Sequence, residues 1–181
     1  MILHVDLITT HMDSDGNTHL HRAVRLYRYD VVENILAHRD AKVDNENNEG
    51  ETALIISVKH TNSYRLIHLL LSFNANPNIQ DREGNTALHI CAKGNKLSMV
   101  EDLMSFGANL DIKNTKGNLA ENLTKFSAVK ECIRKERRLR SIRAQTAFAM
   151  GQHGRLGEVS PVSQLDPDMR MVLKYLDTEH E

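Results

Sequence analysis

The 181-residue sequence predicts an all-α solenoid of about four helix-turn-helix repeats, closed by a C-terminal amphipathic helix. The first observation is an internal repeat. DGNTHLHRAV from Asp15, EGETALIISV from Glu49 and EGNTALHICA from Glu83 superpose, with Gly16, Gly50 and Gly84 spaced 34 and 34 residues apart. A weaker copy, KGNLAENL, places Gly117 33 residues further on. The second observation is that each copy is followed by another apolar segment at helical spacing, as in Leu97, Val100, Leu103 and Met104. The third is a composition with 4% aromatics and no Trp, which argues against a large aromatic core and leaves helices packed through Leu, Ile, Val and Ala.

Each element follows from its residues. Asp13, Asn47, Asp81 and Asn114 stand three positions before the four glycines, so a short polar side chain and a residue free to take positive φ make a tight turn at each copy. Thr18, Thr52 and Thr86 are placed to cap a first helix. YDVVENIL from Tyr29, YRLIHLLL from Tyr64 and LSMVEDLM from Leu97 supply second helices. ANPNIQD from Ala75 and ANLDIKN from Ala108 are extended segments leading to the next turn. One such unit cannot bury its own apolar faces, so neighbours must stack into a continuous core.

The expected organisation is an N-terminal segment at 1–12, a repeat domain at 13–149, a connector at 150–159 and a tail helix at 160–181. The repeats fall near 13–46, 47–80, 81–113 and 114–149. One extra residue near His38 to Asp40, and another near Asn62 to Tyr64, would account for the two 34-residue spacings.

The turn glycine, the following Thr-x-Leu-His of EGNTALHICA and the closing segment FGANLDIKN resemble the ankyrin repeat over roughly residues 13 to 145. Ala53 and Ala87 stand where that family has Pro, and Ile55 replaces the His that His21 and His89 keep. In the fourth copy Leu119, Glu121 and Asn122 replace Thr, Leu and His, so it is expected to be a degraded terminal cap. The resemblance implies protein recognition through the turn tips and the exposed edge of the first helices. The implied contacts are Asp15, Asn17, Glu49, Glu51, Arg82, Glu83, Asn85 and Lys116 at the tips, with Arg25, Lys59 and Lys93 as a recurring basic ladder in a concave groove. The same charges also suit plain solvated surface.

Little in the chain points to catalysis, and no cofactor or metal is expected. Ten histidines invite a metal reading, especially His19 with His21 and His4 with His11, but no third and fourth ligand follow at suitable spacing. Phosphate-binding Gly-rich loops, GxSxG and HExxH are absent. Cys91 and Cys132, 41 residues apart, suggest reduced thiols rather than a disulfide framework, and the repeat register buries Cys91. No apolar run approaches the roughly 18 residues that span a bilayer, so a soluble chain in the cytoplasm, or a host cytoplasm or nucleus, is expected.

A net charge of −1 gives no support for a global nucleic-acid binder, yet it conceals unlike parts. Residues 1–124 carry −4, residues 125–157 carry +7 and residues 158–181 carry −4. From Lys125 to Arg143 there are eight basic and two acidic residues, while Val129, Cys132, Ile133, Leu139, Ile142, Ala147 and Phe148 supply an apolar side. A long last helix with a basic wet face is the stronger reading, ahead of a nuclear-localisation or nucleic-acid segment.

After MGQHGRLGEVSP, rich in Gly, comes SPVSQLDPDMRMVLKYLDTEHE. Leu165, Met169, Val172, Leu173 and Leu176 form one apolar stripe, and Pro167 suits a first helical turn. With Ser160, Pro161, Asp168 and Tyr175 these residues resemble the first segment of an F-box, truncated as in poxviral host-interaction proteins and some bacterial effectors. Pro167 comes one position late, and Asp168 stands for Glu. The resemblance implies a substrate receptor, with Pro161, Leu165, Pro167, Met169, Val172, Leu173 and Leu176 engaging the adaptor subunit of a cullin-RING ubiquitin ligase. The alternative is a plain ankyrin scaffold or inhibitor whose tail helix packs back on the repeats.

Overall fold

The structure is a computed structural model that describes residues 12–60 and 63–153, the last six by backbone alone. Residues 1–11 of the N-terminal segment expected at 1–12, residues 154–159 of the connector, and the tail at 160–181 with its proposed adaptor contacts lie outside the described residues. The described residues contain eight helices and no strand. They are α1 (His19–Arg25), α2 (Tyr29–Leu36), α3 (Ala53–His60), α4 (Tyr64–Ser72), α5 (Ala87–Lys93), α6 (Leu97–Ser105), α7 (Ala120–Leu123) and α8 (Ser127–His153).

Chain contacts divide the protein after Arg134. In the first unit α1 packs on α2, α3 on α4 and α5 on α6, which makes three helical hairpins. First helices stack in the order α1, α3, α5, α7, and second helices in the order α2, α4, α6. The hairpins bury the same positions repeatedly: Val32, Ile67 and Val100 are each 0% exposed, and one turn on stand buried Ile35, Leu70 and Leu103. That repetition is the physical content of the sequence repeat. Truncating Leu70 to Ala would cost about 3 kcal/mol, because neighbours on both sides in the stack close only part of the cavity.

The four turns are built alike. Asp13 Oδ1 accepts from the backbone N–H of Asp15 and Asn17 at 3.0 and 2.8 Å. Asn47 does the same for Glu49 and Glu51, Asp81 for Glu83 and Asn85, and Asn114 for Lys116 and Asn118. Gly16, Gly50, Gly84 and Gly117 follow at φ of 77, 71, 74 and 75°. Consecutive tips are joined by backbone bonds: Asn48 N–H to Asp15 O, Arg82 N–H to Glu49 O and Thr115 N–H to Glu83 O. Side-chain turns and backbone links thus hold the tips in register without a sheet.

The two inserted residues fall where the spacing requires. Tyr64 stands fourteen positions after Gly50, whereas Tyr29 and Leu97 stand thirteen after Gly16 and Gly84. The other insertion lies between α2 and Asn47, where Ala41 N–H donates to His38 O at 3.0 Å.

The fourth copy departs most. With Leu119 in place of Thr, α7 has no side-chain cap and runs for only 4 residues. Thr124, 6% exposed, then turns the chain into the next helix by accepting from Phe126 N–H at 3.1 Å. Val129 and Ile133 of α8 complete the core of this unit. The unit from Lys135 onward is described only as the remainder of α8, steadied by Arg140 Nε donating to Glu136 Oε1 at 2.8 Å. This helix continues to His153 and so takes in the first four residues of the expected connector, 150–153.

Candidate functional site

Two kinds of junction hold adjacent repeats together beneath the tips, and they determine which charges remain available. Between the first and second repeats, Asn47 Nδ2 donates to Asn17 Oδ1 at 3.0 Å. Between the third and fourth, Asn114 Nδ2 donates to Asn85 Oδ1 at 3.0 Å. At the middle junction the equivalent positions are Glu51 and Asp81, two carboxylates. Lys59 Nζ lies between them, 2.9 Å from Glu51 Oε1 and 2.8 Å from Asp81 Oδ2. Burial opposes ionisation of Glu51, but hydrogen bonds from Lys59 and Asn47 outweigh it and hold the carboxyl below its ordinary value. Burial likewise works against the Lys59 charge, and the bonds to Asp81 and Glu51 outweigh it, raising the ammonium above its ordinary value.

His21 and His89 supply a second tie. Thr18 N–H donates to His21 Nδ1 at 3.0 Å, so the proton sits on Nε2, which donates to Glu51 O of the next repeat at 3.0 Å. His89 repeats this with Thr86 N–H at 3.2 Å and Asn118 O at 3.1 Å. Both rings are 1% exposed, and burial pulls both below the ordinary histidine value, so they are neutral at pH 7. The second repeat has Ile55 here, 1% exposed, as a purely apolar filler.

Within this frame, five residues expected at the target surface come together. Lys59, Glu83, Asn85, Lys93 and Lys116 line one cleft of about 320 Å³, with Ile90 and Leu123 as its apolar lining. Asp15, Asn17 and Arg25 line another of about 270 Å³ with Asp13, His21, Arg22 and Leu26. Glu49 and Arg82 line neither; they pair with each other at 3.0 Å across neighbouring tips, both well exposed.

The expected ladder and tip contacts need correction at three residues. Asn17 and Glu51 are only 6% and 7% exposed and are occupied by the junctions, so neither presents a free polar group. Lys59, at a ladder position, has its charge spent on Glu51 and Asp81. Of the cations expected on the ladder and tips, those exposed without an ion pair among the described residues are therefore Arg25 at one end and Lys93 and Lys116 at the other.

Cys91 is 0% exposed, and burial pushes its thiol up to about 12, which removes it as a nucleophile. Among the described residues no helix is long and apolar enough to cross a membrane.

The opposite, second-helix face carries an aromatic group that no repeat motif marks. Tyr64 and His68 rings stand 6.0 Å apart, His68 meets Phe106 edge-on at 5.6 Å, and the Arg65 guanidinium lies 3.9 Å over the Tyr29 ring. The available signal was the alignment of Tyr29 with Tyr64 as the first residue of successive second helices, in a chain with only four Tyr and four Phe.

The family model for ankyrin repeats in three copies matches residues 20–114 and, in an overlapping second match, 54–133. An ankyrin repeat protein of Acanthamoeba polyphaga mimivirus is 44% identical over 61 residues, 34% of this chain and 15% of that relative. The chain therefore spans a small part of the relative's length. Period, turn chemistry, histidine ties and hairpin stacking agree with these matches: the chain belongs to the ankyrin-repeat family, whose repeats bind protein targets.

Proposed function

We propose that this protein is a non-catalytic recognition module whose ankyrin first-helix face selects a protein target and whose tail delivers that target to a cullin-RING ubiquitin ligase. The observation that carries the first half is the cleft in which Lys93 and Lys116 stand as exposed cations beside Glu83, Asn85 and the apolar Ile90 and Leu123. Such a mixture suits a protein segment with acidic and apolar side chains. Arg25 and Asp15, with the Glu49–Arg82 pair, extend the proposed contact along the tips. The second half is supported by the sequence stripe of Leu165, Met169, Val172, Leu173 and Leu176 and its F-box-like wording from Pro161 through Pro167.

Quantitative affinity capture from cell extract tests both halves together. The wild-type chain, Lys93→Glu/Lys116→Glu and a chain ending at Val159 are compared. Target proteins are expected to be lost with the charge reversal and kept by the shortened chain, whereas adaptor and cullin subunits show the reverse pattern. Identical capture by all three would end the proposal.

A further inference from the structure

The second-helix face contains a place that the repeat geometry fills once and leaves open once. Tyr29, Tyr64 and Leu97 are the first residues of α2, α4 and α6, and Asp30, Arg65 and Ser98 follow them. Arg65 of the second hairpin covers the Tyr29 ring of the first, with its guanidinium carbon 3.9 Å from the ring centroid. One repeat further on, the residue equivalent to Arg65 is Ser98, too short to reach Tyr64. A cleft of about 770 Å³ lies there, with Tyr64, Leu97, Ser98 and Asp102 in its lining. Tyr64 remains 46% exposed.

Two carboxylates and one ammonium line the open place, a net charge of −1. Tyr64 OH donates to Asp102 Oδ1 at 3.0 Å, and Asp102 Oδ2 is buried yet accepts no hydrogen bond among the described residues. Leu69 occupies the position of Asp102 in the previous hairpin, so the open place has a carboxylate that the filled one lacks. Glu101 adds a second carboxylate to the lining. The cleft's own cation, Lys96, donates its ammonium to Val58 O. An aromatic face next to two carboxylates, where the neighbouring repeat already stacks a guanidinium, is complementary to an arginine side chain.

We propose that the cleft beside Tyr64 receives an arginine side chain of a partner protein, stacked on the Tyr64 ring as Arg65 is stacked on Tyr29 and charge-paired with Asp102 and Glu101. This site is separate from the first-helix face and does not depend on the function proposed above.

The test uses the full chain labelled with 15N and two probes: Nα-acetyl-arginine amide, and Nα-acetyl-citrulline amide, which has nearly the same shape without charge. The arginine probe is expected to give saturable shifts of the Tyr64, Leu97, Ser98 and Asp102 amides, with citrulline at least about fivefold weaker. Ser98→Arg, which supplies the missing side chain from within, is expected to abolish the response, and Asp102→Asn to weaken it severalfold. The spectrum of each variant reports whether it is folded. Absence of saturable shifts in the wild-type protein overturns the proposal. So does an equal response to citrulline, or an undiminished response in folded Ser98→Arg.

Discussion

Lys59 Nζ donates to Asp81 Oδ2 at 2.8 Å across the boundary between the second and third repeats, and the same ammonium holds Glu51. It does with charge what an Asn–Asn hydrogen bond does at the junctions on either side. Lys59→Met leaves two largely buried carboxylates facing each other. A loss of about 2–3 kcal/mol is expected in urea unfolding, below the figure for a fully buried pair because the Lys59 side chain is partly exposed. Glu51→Asn/Lys59→Met/Asp81→Asn, which installs the neighbouring junction's chemistry, is expected to recover most of that loss.

The same triad sets opposite acid responses in wild type and variant. Glu51 titrates below its ordinary 4.5 in the folded chain, so its contribution is present above that value and lost as pH falls through the folded one. Lys59 titrates above its ordinary 10.5, so its contribution is present below 10.5 and lost as pH rises through the folded value. In Lys59→Met the repulsion is relieved by protonation. Its stability relative to wild type is therefore expected to recover as pH is lowered from 6 to about 4, measured by urea midpoints.

The buried histidines act higher on the scale. Both fold with values below the ordinary 6.5, so the unfolded chain binds more protons as acid is added, and stability falls as pH drops below 6.5 through the folded values. His21→Ile/His89→Ile copies what the second repeat does with Ile55. It is expected to cost about 1–2 kcal/mol per site at pH 7.5 through lost bonds, and to flatten the change in melting temperature between pH 7.5 and 5.5.

Gly84 and Gly117 share the same backbone conformation but not the same surroundings. A Cβ on Gly84 would lie 2.6 Å from Thr115 N, part of the link to the next tip, whereas one on Gly117 meets nothing within 4 Å. Gly117→Ala is expected to cost about 1–2 kcal/mol from positive φ alone. Gly84→Ala should cost at least about 3 kcal/mol, because the backbone link must also shift. Equal losses in thermal unfolding would show that the tip-to-tip link contributes little.

Thiol chemistry separates the two cysteines. With Cys91 fully buried and its thiol raised to about 12, only half-buried Cys132 is expected to react with a disulfide reagent in the native chain. Cys91 should react only after denaturant is added.

Much of the fold was legible because each repeat states it again: Asx and Gly fix the turn, Thr starts the first helix, and the apolar spacing fixes the second. Leu119 also announced the weak fourth copy, which appears as the one-turn α7. The candidate site was less legible, since exposure depends on pairs between repeats. Lys59 stands in register with Arg25 and Lys93, yet only the approach of Asp81 from the next repeat reveals that its charge is spent. The length of α8 was likewise obscured by Gly151, whose cost within a helix the surrounding turns absorb. The opening beside Tyr64 is a property of two repeats compared, not of any motif.

The proposed function joins a target-binding ankyrin module and a ligase-binding tail in one chain. Its most direct measurement is a binding isotherm between the purified ligase adaptor and the full chain, set beside the chain ending at Val159. Saturable binding by the full chain, with none by the shortened one, is the expected result. Equal binding by both, or binding by neither, would contradict the account.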